Sequence, residues 1–168
     1  MTDETYLRKT FSLAFQALEA GSGPFAALMV LDGKILFEVR DQRKWKKDPT
    51  AHPEIEAIRT FSNRFGLEQI NRASLYTNVE PCPMCSGAIF YSGIGSLVYS
   101  VSRKNFDTWL AQCRKRPRRH RIAAREIIRP GGLTQTRGPL LEQEGLALIK
   151  HHLFPLRYNL DEKSGTES

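Results

Sequence analysis

The spacing of apolar positions changes several times along the chain, and each change marks an element. Tyr6, Leu7, Thr10, Phe11, Ala14, Phe15 and Leu18 recur at helical spacing and predict an amphipathic N-terminal helix that ends at Gly21-Ser22-Gly23-Pro24. Two β-rich runs follow, residues 25–31 and 34–39, joined by Asp32-Gly33, a dipeptide that favours a tight hairpin. Residues 41–49 are charged and predict a loop. Ile55, Ala57, Ile58, Phe61 and Phe65 return to helical spacing, so a second helix opens at His52 and closes near Gly66. Residues 73–79 read as a buried strand, 86–92 as a helix, 96–101 as a strand and 106–113 as a helix. A weak strand is predicted at 126–128, and Leu140, Leu141, Glu144, Leu148, His151 and His152 mark a final helix. The polar residues 161–168 predict a disordered tail.

A hairpin followed by strands alternating with helices predicts the α/β class, with three α/β/α layers around a mixed sheet. No internal repeat or interdomain linker interrupts the pattern, so residues 1–160 are expected to form a single domain. In such a layered fold, ligands approach from strand ends and helix N-termini.

Composition narrows the class. The 168 residues are 40% hydrophobic and 26% charged, with no apolar run near transmembrane length, so no membrane association is expected. Three cysteines argue against a disulfide framework and for a reducing, cytoplasmic setting. The net charge of +7 is uneven: ten Lys/Arg between Arg103 and Arg129 face only Asp107 and Glu126, a local +8 that leaves the rest of the chain at −1. The run at 114–121 and the knot Arg43-Lys44-Trp45-Lys46-Lys47 are candidate phosphate or RNA contacts, although a solvated loop has the same composition.

Candidate chemistry sits at two predicted helix N-termini. Cys82 and Cys85 are three residues apart at the start of one, where backbone N–H groups and the helix dipole favour thiolates. Thiolates suit a borderline-soft metal such as zinc, and His52, opening the other helix, is the natural third ligand. Three protein ligands leave a position free for catalysis. Glu54 stands two residues on from His52, where a carboxylate can move protons to and from a metal-activated water. Taken alone, Cys-x-x-Cys also suits a redox pair or half of a structural zinc site.

Read together, His52-Pro53-Glu54 and Pro81-Cys82-Pro83-Met84-Cys85 match the H-x-E…P-C-x-x-C signature, and the chain resembles the cytidine/deoxycytidylate-type zinc deaminase superfamily. Over residues 5–101 the resemblance is to the branch holding guanine and tRNA adenosine deaminases. It is carried by Gly23-Pro24-Phe25, Asp48-Pro49-Thr50-Ala51-His52, Leu75-Tyr76-Thr77, the Glu80–Cys85 motif and Ile94-Gly95. The resemblance implies a cytidine-deaminase-like five-stranded sheet, Zn²⁺ on His52, Cys82 and Cys85, Glu54 as proton shuttle, and a homodimer. It implies hydrolytic removal of ammonia from a nucleobase or nucleoside, purine-type favoured. The alternatives are adenosine editing in tRNA and a non-catalytic RNA-binding partner subunit.

Three positions depart from that family's usual pattern: Pro53 for Ala, Ala26 for Gly and Asp41 for Asn. With Pro81, these are the candidate substrate contacts. An ionised Asp41 only accepts hydrogen bonds, so in the Asn position it would select a ring presenting an N–H or amino group. Alternatively it stays protonated, or turns away to pair with Arg43 or Lys44.

Overall fold

The computed structural model of the chain describes residues 1–113, 122–129 and 131–150. The elements, in order, are α1 (Asp3–Glu19), β1 (Ala26–Leu31), β2 (Lys34–Arg40), α2 (Arg43–Lys46), α3 (Pro53–Ser62), α4 (Leu67–Arg72) and β3 (Ser74–Val79). There follow α5 (Pro83–Ser92), β4 (Ser96–Val101), α6 (Arg103–Cys113), α7 (Ala124–Ile128), β5 (Gln135–Arg137) and α8 (Glu142–Leu148). No helix among the described residues is long and apolar enough to cross a membrane.

The five strands lie in the order β2-β1-β3-β4-β5. β1 is antiparallel to both β2 and β3, whereas β3, β4 and β5 run parallel, so the sheet is mixed. Asp32 and Gly33 both take positive φ (49° and 74°), as a tight primed turn between β1 and β2 requires. Successive side chains of β1 point to opposite faces, and the two core clusters divide them accordingly. Ala26, Leu28 and Val30 pack with α1 residues Leu7, Phe11 and Ala14 and with Phe106 of α6. Ala27 and Met29 pack on the other face with Ala57 and Phe61 of α3, Ile89 of α5 and Ile128 of α7. Helices therefore cover both faces, giving the expected three layers.

Four elements differ from the sequence expectation. The charged loop at 41–49 contains the single turn α2, and the helix opened by His52 ends at Ser62, with α4 a separate element. The strand expected at 126–128 is instead part of helix α7. The fifth strand is β5, whose Gln135-Thr136-Arg137 pairs with Ser96-Leu97-Val98 of β4. The basic run 114–121, His151, His152 and the 161–168 tail lie outside the described residues.

Glu80 explains why α7 forms where a strand was expected. It follows β3 and is only 3% exposed. Its Oε2 accepts the Arg103 backbone N–H at 2.7 Å and its Oε1 accepts the Ala124 backbone N–H at 2.8 Å. One carboxylate thus satisfies the first amides of both α6 and α7, where helix ends lack internal partners. Glu80→Ala would leave two buried amides bare, at about 1–3 kcal/mol each. The variant is expected to shift the urea unfolding midpoint clearly downward. An unchanged midpoint would show that the cap contributes nothing.

Candidate metal centre and active site

Two helix N-termini meet beyond the carboxyl end of β3. His52 is the N-cap of α3 and Cys82 the N-cap of α5, each in extended backbone conformation and each followed by a proline in the first turn. Proline suits that position because its missing N–H would have no partner there. Cys85 lies in the same first turn as Cys82 and is fully buried. The Cys82 and Cys85 sulfurs are 3.6 Å apart, and His52 Nδ1 lies 3.8 Å from the first and 3.5 Å from the second. Both thiols are free. Among the described residues no other His, Cys, Asp or Glu cluster brings three potential ligand atoms so close.

Electrostatics separates the two thiols. The hydrogen bond between the two thiols, opposed by burial and aided by His52, holds Cys82 well below the usual thiol range. Cys85, its partner, is correspondingly raised, with burial acting in the same direction. Burial lowers the pKa of His52, but its contacts with Cys82 and the charge of Glu54 outweigh this and raise it. The donor set is therefore two sulfurs and one imidazole nitrogen. That set suits a borderline-soft ion such as zinc and leaves a fourth position free.

Glu54 lies in the first turn of α3 and is 6% exposed. Burial raises its carboxyl above the usual carboxylate range. Its Oε2 is buried without a hydrogen-bond partner among the described residues. A buried carboxylate oxygen left bare is costly, and such an atom in a native fold calls for a functional reason. Neighbouring Glu56 is occupied by Lys46 and Arg59.

The remaining sequence candidates are placed as follows. Pro53 is the first residue of α3, and Pro81 is buried, its carbonyl accepting the Ser86 hydroxyl at 3.4 Å. Ala26 is 1% exposed within the α1-side core, its N–H held by Asn78 Oδ1 at 3.1 Å. Asp41 is buried and paired with Arg43, whose Nε lies 2.8 Å from Oδ2 and whose Nη2 reaches the same oxygen. The Gln42 N–H, between Asp41 and Arg43, donates to the Ala51 carbonyl at 3.3 Å, so the Asp41–Arg43 pair adjoins the backbone that leads into His52. Arg103 also acts on Glu54. In the sequence Arg103 is only part of a charge run, whereas Arg43 is one of the partners expected for an Asp41 that turns away from the substrate.

A mixed-sheet α/β/α domain with His-x-Glu opening one helix and Cys-x-x-Cys opening another has the architecture of the cytidine-deaminase-like proteins. Residues 1–130 match the MafB19-like deaminase model, and the chain belongs to that family. It is similar to the guanine deaminase of Bacillus subtilis (strain 168), 41% identical over 102 residues, which are 60% of this chain and 65% of that protein. The match thus spans a little under two thirds of that relative's length. It is also similar to the probable cytosine deaminase of Schizosaccharomyces pombe, 30% identical over 153 residues, covering 90% of this chain and 91% of that one. The X-ray structure of the Bacillus subtilis guanine deaminase superimposes with a TM-score of 0.60 and 34% identity, covering 73% of this chain and 83% of that chain.

Proposed function

We propose that this chain is a zinc-dependent aminohydrolase that removes ammonia from an amino-substituted nitrogen heterocycle, a nucleobase or nucleoside. The observation that carries the reading is the convergence of His52, Cys82 and Cys85 beside the buried, unpartnered Oε2 of Glu54. Likeness to guanine and cytosine deaminases supports it. His52, Cys82 and Cys85 would hold the ion. Zinc bound there supplies Lewis acidity that makes water reactive near neutral pH.

The protein's own part is proton transfer and placement. Glu54 removes a proton from the attacking water and gives it to a ring nitrogen, while the oxygen adds to the carbon bearing the exocyclic amine. Glu54 then carries the second proton to that amine, the C–N bond breaks, and ammonia leaves a ring carbonyl behind. Burial raises the Glu54 carboxyl above its usual range, which suits a group that takes up a proton and gives it back. Pro53 and Pro81 fix the backbone on either side of the reacting groups. The same reading takes residues 1–160 as one catalytic domain, acting as a homodimer in the cytoplasm.

The test is ammonia release by zinc-loaded protein from a panel of guanine, cytosine, adenosine and tRNA. Turnover of at least one free base or nucleoside is expected. Release from tRNA alone would replace this reading with RNA editing, and release from none would remove the catalytic reading.

A further inference from the structure

Asp41 and Arg43 form a partly buried ion pair at the start of the segment that leads to His52. Asp41 has no spare capacity. Its Oδ1 accepts the Arg43 backbone N–H at 3.0 Å, Arg43 Nε at 3.1 Å and the Ser22 hydroxyl at 3.3 Å. Its Oδ2 accepts Arg43 Nε and Nη2. The Asp41 side chain is 1% exposed, whereas Arg43 is 32% exposed. The accessible member of the pair is therefore the guanidinium.

That guanidinium is held by an aromatic ring as well as by its ion pair. It lies over the Phe25 ring at 5.6 Å, and Phe25 meets Phe106 edge-on at 5.7 Å. Arg103 lies over Phe106 at 5.3 Å. The row Arg43–Phe25–Phe106–Arg103 is tied to the cluster at both ends: the Gln42 N–H donates to the Ala51 carbonyl at 3.3 Å, next to His52, and Arg103 Nη2 donates to the Glu80 carbonyl, two residues before Cys82. Gly23 is required for this packing, because a Cβ there would run into both Asp41 Oδ2 and Arg43 Nη2. Arg43 Nη1 makes no hydrogen bond among the described residues. It carries two N–H donors and no acceptor, and its charge is balanced by Asp41. A neutral, donor-only face rewards an acceptor atom rather than an anion.

We infer that Arg43, positioned by Asp41, Ser22 and Phe25, is a specificity-determining residue that selects heterocycles turning a carbonyl oxygen or bare ring nitrogen toward it. This rests on the deaminase reading of the adjoining site. It reverses the selection that Asp41 would impose if its own carboxylate faced the ring. A ring with an amino group at that point would meet N–H against N–H, leaving donors unpaired on both partners.

The experiment uses two pairs in which a ring carbonyl is replaced by an amino group: guanine with 2,6-diaminopurine, and cytosine with 2,4-diaminopyrimidine. Binding is read by calorimetry in the Glu54→Gln background, with and without the double substitution Asp41→Asn/Arg43→Met. Removing both charges together avoids leaving Asp41 buried and unpaired. With Arg43 present, the carbonyl member of at least one pair is expected to bind about 10–100-fold more tightly. In the double variant the ratio falls to near one. Arg43→Lys, which keeps a cation beside Asp41 but lacks the planar fork, is expected to lose most of the preference too. No preference with Arg43 present, or an equal preference without it, overturns the inference. Ammonia release by protein with Glu54 intact is scored separately. If neither these four compounds nor adenosine or tRNA is turned over while the binding preference holds, the catalytic reading fails and the recognition role stands.

Discussion

Glu54→Gln is expected to keep the fold and bound zinc but to lose turnover by about 10²–10⁴-fold, the usual contribution of a positioned proton shuttle. Gln has nearly the same shape, so the first turn of α3 and its packing beneath the cluster are preserved. What it lacks is a site that can take up a proton and give it back. The bare Oε2 of Glu54 makes this a sharp test, since no partner among the described residues accounts for the position of that oxygen. The loss should fall on kcat, because the group acts on protons in motion rather than on the resting ring. A Glu54→Gln protein that binds substrate normally and releases no ammonia meets the expectation. Ammonia release within a few-fold of wild type would take Glu54 out of the chemistry.

The sequence revealed the layers and the cluster because both depend on local signals. Helical spacing in α1 and α3, the apolar run of β1 and the Asp32-Gly33 turn lie within a few residues of the structure they specify. His52, Cys82 and Cys85 were visible because each opens a helix, and a helix start is itself written locally. The missing parts depend on distant partners. Residues 126–128 carry two β-branched residues and suggest a strand, yet Glu80, 44 positions before Ala124, caps that segment as a helix. β5 is a three-residue edge strand of Gln, Thr and Arg, and only its pairing with β4 distinguishes it from loop.

Asp41 and Arg43 illustrate the same limit at the site. Two residues apart in sequence, they were legible as a possible pair, and equally as a solvated charge run. The choice was made by Ser22, whose hydroxyl donates to the carboxylate, by Phe25 stacked on the guanidinium, and by the absence of a side chain at Gly23, where a Cβ would run into both groups. Charge runs in a sequence give the number of ionic groups but not which face inward. Here Lys46 turns to buried Glu56 while Arg43 turns to buried Asp41, so neighbouring cations serve different anions.

Metal removal should separate Cys85→Ser from wild type even before any activity is measured. Purified wild-type protein is expected to contain one zinc per chain, and a strong chelator should lower its melting temperature, since an ion bound only by the folded state stabilises that state. His52 Nδ1 and the two sulfurs lie on different helices, α3 and α5, so an ion among them would tie together two N-termini that otherwise share a hydrogen-bonded contact. Cys85→Ser replaces a fully buried sulfur with a hydroxyl that stays protonated and binds zinc poorly. It also removes the thiol whose hydrogen bond with Cys82 lowers that group's pKa. The variant should contain little zinc by elemental analysis, melt below wild type, and show no further shift with chelator. Met84→Ser, one residue earlier and on the exposed side of the same helix, is the control expected to keep its metal. Full zinc content in Cys85→Ser, or an unchanged chelator response, would mean that the ion sits elsewhere and that the cluster is only a buried hydrogen-bonded group.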